Sequence, residues 1–210
     1  MTSSAHAERA TADVAATPAE AATRRWARTD ATQQRILDAA IDVFSACGFT
    51  AATMADIVAA SGASIGSIYH HFGGKKELFQ AIFERIATDI ERRMDSASPE
   101  LTGPDRRRAF ELNVRIYLQA MWANRRAAMV LASGDAPAGF DRIRRNTMLT
   151  NFRHLISVLE LDNSPRDQLL TRILVATMAE SALMVAMCDD AADAEPIIDA
   201  TIEAIDRLTG

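Results

Sequence analysis

The chain has 210 residues, of which 49% are hydrophobic, and a formal charge of −5. Such a length supports one sizeable core or two small ones, and the apolar share belongs to a globular chain rather than a disordered one. The acidic balance excludes nucleic-acid binding by bulk charge, so any DNA contact must come from a local patch.

Abundant alanine, few aromatics and sparse glycine and proline point to helices throughout. Residues 1–28 are rich in Ala, Thr, Ser and Glu without an apolar period, and read as a disordered tail. Its end carries Arg24, Arg25, Trp26 and Arg28, a basic cluster able to lie along phosphates or reach a minor groove; a solvated tail is the plainer alternative. Asp30 and Gln33 stand at capping-box spacing. Ile36, Leu37, Ala40, Ile41 and Phe44 then recur at helical spacing, and Gly48 closes that helix.

Thr53 to Lys76 reads as two short helices around a tight turn. Thr53 caps the first, with Asp56 three residues on, and Ile57 and Val58 give it apolar contacts. Ser61-Gly62 ends it, because glycine accepts the positive φ of a helix C-terminus. Ser64 caps a second helix, Ile65 to Phe72, whose first residues are short enough for a groove to approach. Two helices crossing steeply over a glycine-containing turn form a helix-turn-helix, whose second helix enters the major groove.

The order is more specific than that. Thr53, Ile57, the Gly62-Ala63-Ser64 turn, Gly66, Tyr69, His71-Phe72, Lys75 and Leu78 together resemble the DNA-binding domain of the TetR (tetracycline-repressor-like) family. The likeness runs from about Ile36 to about Phe83. Ala63 replaces a larger aliphatic residue of the family pattern, and Gly73-Gly74 replaces its usual proline and cap. The resemblance implies that Ser64, Ile65 and Ser67 meet base edges, and that Thr53, Tyr69, His70 and Lys75 meet phosphate. Their chemistry agrees, since hydroxyls, an imidazole and an ammonium are phosphate donors, and Ile65 suits a thymine methyl.

Lys75 to about Met94 is a long helix with Leu78, Phe79, Ile82, Phe83, Ile86 and Ile90 on its inner side. Ser96–Gly103 is a break, with Pro104 at the first position of the next helix. Phe110 to Trp122 is apolar on every side, the mark of a central helix. A shorter helical piece reaches Leu131. Ser133–Gly139 is a loop, and Phe140–Leu161 is helical again. Ser164-Pro165 starts a helix to about Cys188, Asp189–Glu195 is an acidic turn, and Pro196 opens the last helix.

No metal or catalytic pattern emerges. His70 and His71 are adjacent and cannot chelate one ion at i, i+4 spacing, and no nucleophile elbow, P-loop or dinucleotide fingerprint occurs. Neither an enzyme nor a cofactor is expected. The second half is rich in methionine: Met121, Met129, Met148, Met178, Met184 and Met187. These fill an ordinary core or form an adaptable apolar pocket, and TetR-like C-terminal domains commonly enclose an effector. The expected lining is Phe110, Val114, Tyr117, Met121, Met148, Phe152 and Met178, with Asn113 or Asn151 as polar anchors. The last two helices carry more apolar stripe than one core needs, which predicts a homodimer through Ala182, Ala186, Ile198, Ile202 and Ile205.

The expected organisation is therefore all-α: a tail over 1–28, a helix-turn-helix domain over 29–76, and a ligand-binding and dimerisation domain over 77–210. Its partners would be a palindromic double-stranded DNA operator and a small apolar effector. The expected role is a repressor; a C-terminal domain that binds a protein instead is the alternative. No uninterrupted apolar run of about eighteen residues marks a membrane span, and the N-terminus lacks a secretory signal. Cys47 and Cys188 read as reduced thiols of a cytoplasmic protein, with a redox sensor as the lesser option.

Overall fold

The structure, a computed structural model, describes residues 18–97, 105–147 and 164–209, with side chains from residue 30 onward except that of Arg106. The described residues are helical and contain no strand. In chain order the helices are α1 (Pro18–Ala51), α2 (Met54–Ser61), α3 (Ile65–Phe72), α4 (Lys75–Ser96), α5 (Arg106–Ala123), α6 (Arg125–Ala132), α7 (140–147), α8 (Pro165–Ala186) and α9 (Ala191–Thr209).

Helix α1 begins at Pro18, so the stretch 18–28 expected as tail is helical, and Asp30 lies inside the helix rather than capping it. Proline suits a first helical turn, and the following Ala, Glu and Arg are strong helix formers. Residues 1–17 lie outside the described residues. Gly48 interrupts the helix at φ 79°, and one more turn leads to the cap of α2. The expected capping box is present: the Thr53 hydroxyl accepts from the Asp56 N–H at 3.2 Å, and the Thr53 N–H donates to the Asp56 carboxylate at 2.9 Å. Gly62 takes the left-handed C-cap of α2 at φ 64°.

Two side-chain clusters hold the helices. The first gathers Ile36, Leu37, Ala40, Ile41 and Phe44 of α1, Ile57 of α2, Ile68 of α3, and Leu78, Phe79, Ile82, Ile86 and Ile90 of α4. It runs on without a break into Ala127, Ala128, Val130 and Leu131 of α6 and Phe140 of α7. The boundary expected at residue 76 is therefore no packing boundary, because α4 supplies the floor of the N-terminal unit and α6 covers it. The second cluster joins Phe110, Val114 and Leu118 of α5 to Leu174, Met178, Ala182 and Val185 of α8 and Ala194, Ile198 and Ile205 of α9. Polar ties fix its register: Arg115 reaches Glu195 at 2.9 Å and Asp199 at 2.5 Å, and Arg107 reaches Asp206 at 2.9 Å. Inside, Thr201 and Ser181 share a buried hydrogen bond of 2.8 Å.

Two further expected helix starts shift. Asp105, not the residue before Pro104, caps α5, accepting from the Arg108 N–H at 3.1 Å. Helix α9 begins at Ala191, inside the expected acidic turn, because the Asp190 carboxylate accepts from the Asp193 N–H at 3.0 Å and starts the helix ahead of Pro196. Helix α7 is described only to residue 147.

Helix α8, at 22 residues and mean hydropathy 1.6, is long and apolar enough to cross a membrane by length and composition alone. Arg172 and Glu180 interrupt its apolar run, which is why no uninterrupted stretch marked it in the sequence. Leu174, Met178, Ser181, Ala182, Val185 and Ala186 of this helix are buried in the helical core.

Candidate nucleic-acid interface

Helix α3 is fixed from below and open above. Ile68 is fully buried against the first cluster, while Ile65 is 47% and Tyr69 51% exposed. Ser64 and His70 are exposed too, and Ser67 is half-buried. Half of the Tyr69 side chain is therefore open to a partner from outside. The Ser64 hydroxyl accepts from the Ser67 N–H at 3.1 Å, which caps α3 and holds its first turn. The turn before α3 has a device that the sequence reading overlooked: the buried Ser61 hydroxyl accepts from the Ala63 N–H at 3.2 Å. A serine one residue before the turn glycine was the available signal.

Two expected phosphate contacts are spent inside the protein. Thr53 is exposed, but its hydroxyl donates to the Asp56 carboxylate at 2.7 Å. These bonds to the Thr53 hydroxyl and N–H hold the Asp56 carboxyl below its ordinary value. Lys75 departs further. Its ammonium donates to the carbonyls of Phe49 at 2.8 Å, Ala52 at 2.7 Å and Thr50 at 3.3 Å, and lies 4.6 Å from the centre of the Phe49 ring. The side chain turns back onto the end of α1 because those carbonyls carry the negative end of a helix and lack intrahelical partners. Lys76, next to it, is exposed. The N-terminus of α4 has no side-chain cap, since Gly74 occupies that position.

Of the expected effector lining, Phe110, Val114 and Met178 meet in the second cluster, and Tyr117 and Met121 pack against both clusters. Burial pushes the Tyr117 hydroxyl up to about 12. Asn113 is buried, with its amide donating to the Ala109 carbonyl of its own helix at 3.0 Å. Met148, Asn151 and Phe152 lie outside the described residues. The methionine-rich interior is only partly interior, because Met129, Met184 and Met187 are exposed.

The expected dimer residues need correction. Ala182, Ala186, Ile198 and Ile205 are buried within a single chain, and Ile202 packs half-buried against them. Their stripe faces α5, so it is not available to a second copy. The large apolar residues left outside are Leu169, Ile173 and Met184 on α8, Met187 at its C-cap and Leu208 on α9.

Residues 36–82 match a family model described as bacterial regulatory proteins, tetR family. Over 56 residues the chain is 45% identical to the HTH-type transcriptional regulator SrpR of Pseudomonas putida, spanning 27% of this chain and 26% of that protein. Over 59 residues it is 39% identical to the HTH-type transcriptional regulator AcrR of Shigella flexneri, spanning 28% and 27%. The matched stretch thus covers less than a third of these curated relatives' length. A TetR-like transcriptional regulator from Rhodococcus sp. RHA1 shares the fold at TM-score 0.63 and 24% identity, over 85% of this chain and 93% of that one. Residues 36–82 thus match the tetR family of bacterial regulatory proteins, and the chain shares the fold of TetR-like solved structures.

Proposed function

We propose that this protein is a ligand-responsive transcriptional regulator, a repressor released from a palindromic operator by a small apolar effector. The observation that carries the reading is α3: Ile68 anchors it in the core while Ser64, Ile65, Tyr69 and His70 stand open on its outer face. A helix held this way presents short and apolar groups to base edges and a hydroxyl and an imidazole to phosphates.

Two-fold symmetry follows if copies pair through the apolar strip of α8 and α9 that one chain leaves uncovered, Leu169, Ile173, Met184, Met187 and Leu208. A four-helix contact would bury it. Two recognition helices then read half-sites that repeat every ~34–36 Å on one face of B-DNA. The effector reading rests on Phe110, Val114, Tyr117, Met121 and Met178, which meet between α5 and α8. A ligand preferring the non-binding arrangement by ~100-fold supplies about 2.7 kcal/mol of bias, which lowers operator affinity by up to that factor. A DNA-binding regulator of this kind works in the cytoplasm.

Selection from a random-duplex library tests the DNA reading. The expected product is an inverted repeat. Ser67→Ala and Ile65→Ala should change base preference, whereas Tyr69→Phe should weaken all sequences alike. A library that returns no inverted repeat with folded, dimeric protein overturns it.

A further inference from the structure

Helix α6 and the loop after it are tied to α1 at both ends. Near the start of α6, Arg126 pairs with Asp42. Beyond its end, one oxygen of the Asp135 carboxylate accepts from the Thr50 N–H at 3.0 Å, and the other from the Thr50 hydroxyl at 2.5 Å. The carboxylate lies so close over Gly48 that a Cβ there would stand 2.4 Å from its oxygen. Gly48 also takes a positive φ of 79°, so a side chain here is strained whatever the space around it.

The loop is built to deliver that carboxylate. Ser133 donates to the Val130 carbonyl at 2.9 Å and accepts from the Asp135 N–H at 3.3 Å, a local turn that aims Asp135 at α1. Five residues on, Phe140 is buried and meets Phe79 edge-on at 4.9 Å and Phe83 at 5.6 Å. From the α4 side, Lys75 grips the carbonyls of the same Phe49–Ala52 segment. The Thr50 hydroxyl and N–H, the Phe49 backbone and the charge of Lys75 all hold the Asp135 carboxyl below its ordinary value. This segment leads directly into Thr53, the cap of α2, so whatever fixes it fixes where α2 and α3 point.

We propose that Asp135 is a positioning residue for DNA recognition: from the C-terminal helices it docks on the Gly48–Thr50 turn and sets the angle at which the helix-turn-helix is presented. The proposal rests on the DNA-binding reading above. It makes the loop 133–139, rather than α4 alone, a connection through which the C-terminal helices orient α3.

The test uses full-length protein with Asp135→Ala, Asp135→Asn and Thr50→Val, and two readouts. Amide NMR without DNA follows exchange of the Thr50 N–H. Binding to duplexes with varied half-site spacing follows recognition. Asp135→Ala should speed Thr50 exchange, lower affinity for the wild-type inverted repeat by about tenfold and widen the tolerated spacing. Asp135→Asn, which keeps an acceptor, should recover most of both. A merely structural role would lower the melting temperature while leaving spacing preference unchanged, and that result overturns the proposal. Unchanged Thr50 exchange in Asp135→Ala overturns it also. If the wild type selects no inverted repeat while its Thr50 amide exchanges slowly, the DNA-binding reading has failed, and the Asp135 contact remains as architecture only.

Discussion

Lys75→Met separates two roles for one ammonium. The substitution keeps a stem of similar length against Phe49 and removes the charge. In the structure that charge serves three carbonyls, at 2.8, 3.3 and 2.7 Å, at the end of α1. Hydrogen bonds to charged groups contribute about 1.5–3 kcal/mol each when well buried. Lys75 is half-buried, and the carbonyls it leaves can recover some water, so the net loss is set at about 2–3 kcal/mol for the whole group rather than for each bond. For a chain of this size each kcal/mol lowers the melting temperature by about 2–4 °C, so the drop should be about 5–10 °C. Thermal denaturation by circular dichroism measures it directly. The second assay is the salt dependence of DNA binding. A lysine paired with a phosphate contributes about one unit to the log–log slope. The expected outcome is a lower melting temperature with an unchanged slope. An unchanged melting temperature with a slope reduced by about one unit would refute the reasoning and return Lys75 to the DNA backbone.

Other changes test the remaining parts. Phe140→Ala removes a fully buried ring between Phe79 and Phe83 and should cost about 3–5 kcal/mol, read from urea midpoints. Leu169→Glu with Met184→Glu should convert a dimer to monomer in light scattering without lowering helicity, since both side chains are exposed in one chain; a persistent dimer would place the contact elsewhere. Thr53 holds the Asp56 carboxyl below its ordinary 3.8. A carboxyl depressed by folding stabilises fully above its unfolded value and loses that contribution as pH falls through the folded one. The stability gap between wild type and Asp56→Asn should therefore be constant above about pH 4 and close at lower pH.

What the sequence disclosed was local. The caps at Thr53, Ser64 and Ser164 involve partners three residues away, so spacing alone identifies them. Apolar period likewise marked Ile36, Phe44, Phe79 and Ile82 as core. Direction was not disclosed. Lys75 reads as a cation at a helix start, and nothing nearby in sequence says that its head bends back to carbonyls more than twenty residues earlier. The stripe of Ala182, Ile198 and Ile205 was read as a dimer contact yet lies in the core of one chain, because period cannot tell a chain's own core from a contact with a second copy. Met129, Met184 and Met187 show the same limit from the other side: they are apolar residues that the fold leaves outside. Asp135 and Thr50 are 85 positions apart, and an aspartate in a glycine-containing loop has an ordinary local explanation as a turn residue.

These long-range contacts change how movement can pass between the two ends of the molecule. A lone α4 could tilt as a lever with the helix-turn-helix at its tip. Here α1, α4 and α6 share one cluster, and close-packed interiors shift between discrete arrangements rather than bending continuously. Tilting α4 alone would open that cluster along Phe79 and Ile82. Carrying α6 along preserves it. The joint between α5 and α6 is where the two clusters exchange force: Asn124 there donates to the Asp89 carboxylate of α4 at 2.9 Å, while Met121 and Tyr117, one and two turns earlier, touch both clusters. A molecule that displaced Tyr117 or Met121 would press on α5 just before this joint. The Asn124 bond would pass the shift to α4, and α6 would pass it through Asp135 to the turn before α2. Two linked paths reaching α3 make its orientation a property of the whole packed unit.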